Sequence, residues 1–153
     1  MEVIVILFIV SLALVGLLSL IVQNIQSQNY NKGNLIAYQL AQEGTELVRK
    51  VRDSNWEAAS STFSNLATGR YFMDYEDTVP QLVSDDSEII LKKDADGFYF
   101  HSLASPLPVS GFSRDIWLTS LDEHSLRVLS RVFWSEHDRN YFYSLETILY
   151  DWY

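Results

Sequence analysis

Four groups of residues in this chain have types that do chemistry in proteins. Asp94-Ala95-Asp96-Gly97 sets two carboxylates ahead of a glycine, as calcium loops do. With Gly97 at the sixth loop position, the first falls on Lys92 and the twelfth on Leu103, and neither offers a ligand oxygen. The run therefore reads as a β-turn. His101, His124 and His137 are too scattered for a zinc motif, and no His-Glu-x-x-His occurs. Asp122-Glu123-His124-Ser125 contains the residue types of a hydrolase triad, but adjacency in sequence is not triad geometry. The fourth group is a single residue, Glu2, at the head of a long apolar run.

The sequence has no Gly-x-Ser-x-Gly elbow, no glycine-rich phosphate loop and no cysteine. It therefore reads as a non-enzyme, with no metal and no cofactor. The lack of cysteine also excludes a disulfide framework, so any folded domain needs an ordinary apolar core. Asp and Glu outnumber Lys and Arg by 20 to 11, for a net charge of −9. That balance disfavours direct nucleic-acid binding through a basic surface. Asp74, Glu76, Asp77, Asp85, Asp86 and Glu88 read as solvated loops. Trp117, Trp134, Trp152 and the tyrosines have the π-faces to stack on a sugar or a single-stranded nucleic acid. In alternating strands they read first as cross-strand packing.

A mean hydropathy of −0.01 averages two unlike parts. Residues 3–22 hold no charge, and only Ser11, Ala13, Gly16 and Ser19 interrupt the large apolar side chains. Twenty residues of helix span about 30 Å, the hydrocarbon thickness of a bilayer. A cleaved signal peptide would need a basic start and a small-x-small cleavage site. Here the start is Met1-Glu2 and no such site follows. The run therefore reads as a retained transmembrane helix. No basic residue precedes it to set its orientation. Glu2 favours the helix dipole from the N-terminus, and at membrane depth an acid calls for a partner.

The residues beyond must position this anchor and whatever it carries. Leu35, Ile36, Leu40, Leu47, Val48 and Val51 recur at helical steps, so residues 34–53 read as an amphipathic helix. Asn29 to Asn34 is a weak spot where a bend or fraying is expected. Asp53-Ser54-Asn55 ends the helix. Strands are expected at 70–75, 88–93, 98–101, 112–119, 126–135 and 141–150, with a hairpin turn at Gly97. Leu126, Val128, Val132 and Trp134 share one parity, and Arg127 and Arg131 the other. Such alternation suits an antiparallel sheet with one face covered, and the cover is the helix face of Leu40, Leu47 and Val51. The fold class is α+β: a long N-terminal helix packed on an antiparallel sheet of about four to five strands. Residues 1–54 form the helix and 55–153 a β-rich globular domain. Surface function is expected in loops 61–69, 79–87 and 102–111.

Two regions then resemble the type IV pilin and type II secretion pseudopilin family. Glu2-Val3-Ile4-Val5-Ile6-Leu7-Phe8-Ile9-Val10 is similar to the family's opening, a glutamate at the head of an apolar helix. Leu35 to Arg49, followed by Arg52-Asp53-Ser54-Asn55-Trp56, is similar to a pilin-like subgroup. So are Phe112 to Ile116, Val128 to Trp134 and Leu145 to Trp152, as its closing strands. The resemblance implies the pilin fold. It also implies a structural subunit anchored in the bacterial inner membrane, then packed into an extracellular, cell-surface filament. Its partners would be other copies or related pilin subunits, inner-membrane lipid, a prepilin peptidase and an assembly platform. Val3, Phe8, Leu12, Gly16 and Leu20 would lie in the filament core. Glu2 would set register against the N-terminal amine of a neighbouring subunit. Family members carry a short basic leader ending in glycine, and cleavage leaves the glutamate fifth. Glu2 stands three positions earlier. Either the leader and first mature residues lie upstream of Met1, or the processing site has been lost. The alternative reading is a single-pass membrane-anchored extracytoplasmic binding domain that does not polymerise.

Overall fold

The computed structural model describes residues 1–58, 60–101, 109–136 and 138–151. Their contacts divide the chain into two compact units, Met1–Leu35 and Ile36–Tyr153. One helix, α1 (Glu2–Glu57), supplies all of the first unit beyond Met1 and the opening of the second. It continues through residues 29–34, where a bend was expected, and four residues past the expected stop at 53.

In the first unit, residues 1–32 are exposed throughout. Ser11 donates its hydroxyl to the Phe8 carbonyl (2.8 Å), so this polar group is satisfied within the helix.

In the second unit, α1 buries Ala37, Leu40, Ala41, Gly44, Thr45, Leu47, Val48 and Val51, one stripe at helical spacing. The stripe packs on a seven-stranded antiparallel sheet. Its strands are β1 (Gly69–Phe72), β2 (Gln81–Leu82), β3 (Ile90–Lys93), β4 (Tyr99–Phe100), β5 (Val109–Asp122), β6 (Ser125–Glu136) and β7 (Arg139–Tyr150). The last three form a long meander. Along its other side β5 pairs first with β3, at Lys92↔Val109 and Ile90↔Ser113, then with β1, at Tyr71↔Ile116 to Gly69↔Leu118. β2 and β4 are two-residue strands added outside β1 and β3.

The alternation read from the sequence is the register observed. Leu126, Val128, Ser130, Val132 and Trp134 of β6 are buried, and Arg127 is exposed. Several boundaries differ from expectation. β1 ends at Phe72 rather than 75, because Asp74 leaves the sheet to engage His101. The stretch 88–93 begins as a 3₁₀ turn, Asp86–Ile89, before β3. Asp85 and Glu88 form a capping box there, each side chain satisfying a backbone N–H of the other's end. Loop 79–87 contains β2. Loop 102–111 gives its last three residues to β5, and 102–108 lie outside the described residues, as do His137 and Trp152.

Two apolar clusters hold helix to sheet. One joins Leu47, Val48 and Val51 to Tyr71, Met73, Ile116, Leu118, Val128 and Leu149. The other joins Ala37, Leu40 and Ala41 to Leu91, Val132 and Trp134. Between them each element presents something other than a large apolar side chain: Gly44 on α1, Arg114 on β5 and Ser130 on β6. A Cβ added at Gly44 would stand 2.5 Å from Ser130 Oγ and 3.4 Å from Arg114 Cδ. Helix and sheet thus come close together at a polar waist.

Candidate functional site

The first candidate is the exposed apolar surface of α1. An 18-residue window there reaches a mean hydropathy of 3.1 with none of it buried. Val3, Phe8, Leu12 and Leu20 are 58–68% exposed. A Cβ at Gly16 would meet nothing within 4 Å, so no contact within the chain requires glycine there. Glu2 lies in the first turn, where its charge suits the dipole. Leu40, Leu47 and Val51 are instead buried against the sheet. By length and composition the helix is a candidate membrane anchor. Its backbone bonds are made within the helix, as a bilayer core demands.

The second candidate is the waist. Arg114 is fully buried. It shares parity with Phe112 and Ile116, so the strand aims it at α1. Nη1 donates to the Leu40 carbonyl (3.2 Å) and meets Glu43 Oε2 (3.1 Å). Nη2 donates to the Met73 carbonyl (2.8 Å) and faces Asp74 at 3.9 Å. Among the described residues Nε has no hydrogen-bond partner. Asp74 also accepts from the His101 backbone N–H (2.8 Å) and lies 2.7 Å from its Nδ1. The network ties α1, the end of β1 and β5 into one joint.

Asp115, the next residue, points to the opposite face and is also fully buried. Arg131 grips it through two bonds (Nε 2.9 Å, Nη2 2.6 Å). Arg70 donates through Nε (2.7 Å) and Trp117 through Nε1 (3.1 Å). Burial pushes the Asp115 carboxyl up, but the bonds from Arg131 and Arg70 outweigh it and hold the group below the ordinary carboxylate range. Burial lowers Arg70, and its bonds to Asp86 and Asp115 more than restore it. The Arg131 guanidinium lies 5.1 Å from the Trp117 ring centroid and 5.3 Å from that of Phe133. These charges satisfy one another and fix the meander.

The calcium-like turn is a hairpin turn. Gly97 sits at φ +96°, and Asp94 Oδ1 accepts from the Phe98 N–H (2.8 Å). Among the described residues no group of three or more His, Asp or Glu side chains is placed to hold a metal ion.

Sequence reasoning passed over Arg114, Asp74 and Asp115 as site residues. The available signal was parity, since a charge on the inward side of a strand demands a buried partner. Compared with protein-family models, curated proteins and solved structures, the chain matches none.

Proposed function

We propose that this chain is a structural subunit of a filament of the type IV pilus or type II secretion pseudopilus kind, held in the inner membrane by residues 3–22 before assembly. One observation carries the reading. A single helix is apolar and exposed throughout residues 3–22, then closes the core of an antiparallel sheet over residues 37–51. Sixteen large apolar side chains stand open in the first stretch. Covering each is worth roughly 1.5–3 kcal/mol, so water is not their setting. Lipid covers them before assembly, and neighbouring helices cover them afterwards.

Glu2 then becomes the one charge in an apolar bundle. Pairing it with a neighbour's terminal amine fixes the vertical register, because a shifted neighbour leaves the carboxylate unpaired. Gly16, where an added Cβ would meet open space among the described residues, is where a neighbouring helix approaches or the helix loosens.

The test compares wild type with Glu2→Leu in cells that shed surface filaments. Membranes and sheared surface material are blotted for the chain. Wild type is expected in both fractions, and Glu2→Leu in membranes only. Wild type confined to membranes would leave an anchored, non-polymerising binding domain. Glu2→Leu shed as efficiently as wild type would overturn the register role.

A further inference from the structure

Beside the waist, an open groove of about 590 Å³ runs between α1 and the β3–β4 hairpin. The helix contributes Ile36, Leu40 and Glu43, and the opposite wall is Tyr75, Phe98 and Tyr99. Tyr75 and Phe98 stand 51% and 62% exposed with ring centroids 6.4 Å apart. Glu43 uses Oε2 on Arg114 and keeps its side chain 36% exposed. Glu43 and Asp74 share the Arg114 guanidinium, and Asp74 is also held by His101, so Glu43 is the carboxylate that faces the groove. The rim is negative as well. The charge of Glu76, then its hydrogen bond, pushes the Tyr75 phenol above its ordinary value, with Asp94 and Asp74 adding to the effect. The nearby cations are committed elsewhere. Lys50 donates to the Tyr75 carbonyl (3.1 Å), and Lys93 lies 5.3 Å from the ring centroid of Tyr99 at the hairpin end of the wall, which leaves Tyr75, Phe98 and Glu43 without a lysine against them.

Aromatic faces and a carboxylate around a slot are the chemistry that receives a cation on an apolar stem. The protein already uses half of it, with Arg131 over Trp117 and Phe133. We propose that the groove receives an arginine or lysine side chain of a partner protein, with that segment's apolar flanks on Ile36, Leu40 and Phe98. The cation head meets the free oxygen of Glu43, and its stem lies along the Tyr75 and Phe98 rings. Neither the contact nor its test depends on filament assembly.

The probe is the peptide acetyl-Leu-Arg-Leu-amide, with a citrulline peptide as its neutral isostere. Each is titrated into the full chain in lipid nanodiscs, with Phe and Tyr ring resonances followed by NMR. Saturable shifts at Phe98 and Tyr75 are expected, with the citrulline peptide about fivefold weaker or more. Phe98→Ala and Tyr75→Ala, both at exposed positions, should each weaken the arginine peptide several-fold while leaving the Tyr143 resonance in place. Glu43→Gln should erase the preference for arginine over citrulline. Shifts that stay linear to about 10 mM peptide, equal affinity for the two peptides, or unchanged binding in Phe98→Ala would overturn the proposal.

Discussion

Replacing Arg114 by methionine separates two accounts of what a buried charge does at the waist. Breaking a fully buried ion pair costs about 3–5 kcal/mol. Arg114 is a milder case, and its partners say why. Glu43 keeps a 36% exposed side chain and can turn to water. Asp74 keeps both contacts to His101. The Leu40 carbonyl lies inside α1, where the helix ladder already serves it. The Met73 carbonyl is left as the buried acceptor that loses its side-chain donor, at about 1–3 kcal/mol. Against this, Nε has no partner among the described residues, so removing the guanidinium relieves part of its desolvation. The expected loss for Arg114→Met is about 2–3 kcal/mol, and for Glu43→Gln under about 1 kcal/mol. The double variant should resemble Arg114→Met. Urea unfolding of the full chain in detergent micelles, followed by tryptophan fluorescence, measures all three. An Arg114→Met variant within about 0.5 kcal/mol of wild type would refute the joint. Glu43→Gln as costly as Arg114→Met would move the energy from the carbonyl bonds to the ion pair.

Two further outcomes follow from the same core. Because the Asp115 carboxyl titrates lower folded than unfolded, its stabilisation is complete above the unfolded value near pH 4. That contribution is lost as pH falls through the folded value. Asp115→Asn should therefore flatten the acid limb of a stability–pH curve, and an unchanged limb would dismiss Asp115 as its source. Gly44→Ala gains about 1 kcal/mol of helix propensity. It also forces a Cβ to 2.5 Å from Ser130 Oγ and 3.3 Å from Ser130 Cβ, and overpacking costs about 1–3 kcal/mol. A net loss near 1 kcal/mol is expected. It should shrink in a Ser130→Ala background, where the unpartnered hydroxyl is gone. Strict additivity of the two changes in a double-mutant cycle would count against the contact.

What could be read from the sequence was whatever repeats along one element. The 3.6-residue recurrence of Leu40, Leu47 and Val51, and the two-residue recurrence of Leu126, Val128, Val132 and Trp134, carry both the elements and their buried faces. β2 was not legible, because Gln81 and Leu82 are both exposed and two residues show no period. The 3₁₀ turn at Asp86–Ile89 depends on a capping box over Asp85-Asp86-Ser87-Glu88, a local signal hidden inside a run of acids. At the waist, the parity Arg114 shares with Phe112 and Ile116 was a signal not taken up, and its partners come from residues 40, 43, 73 and 74. Only the folded register brings those together. Gly44 was invisible for the same reason. Its fitness depends on Ser130, in a strand 86 positions away in this numbering.

The order of elements also fixes the order in which surfaces are covered. α1 is made first, and much of what buries its stripe is made last: Val128, Val132, Trp134 and Leu149 all come from the final third of the chain. A chain delivered N-terminus first therefore carries a completed apolar stripe for the whole time it takes to make β5 to β7. The β5–β6–β7 meander, with short turns between its strands, forms locally and quickly once it emerges. β1 and β3 gain their β5 partner only then. Until that moment the helix stripe and one open edge each of β1 and β3 are what a chaperone would meet.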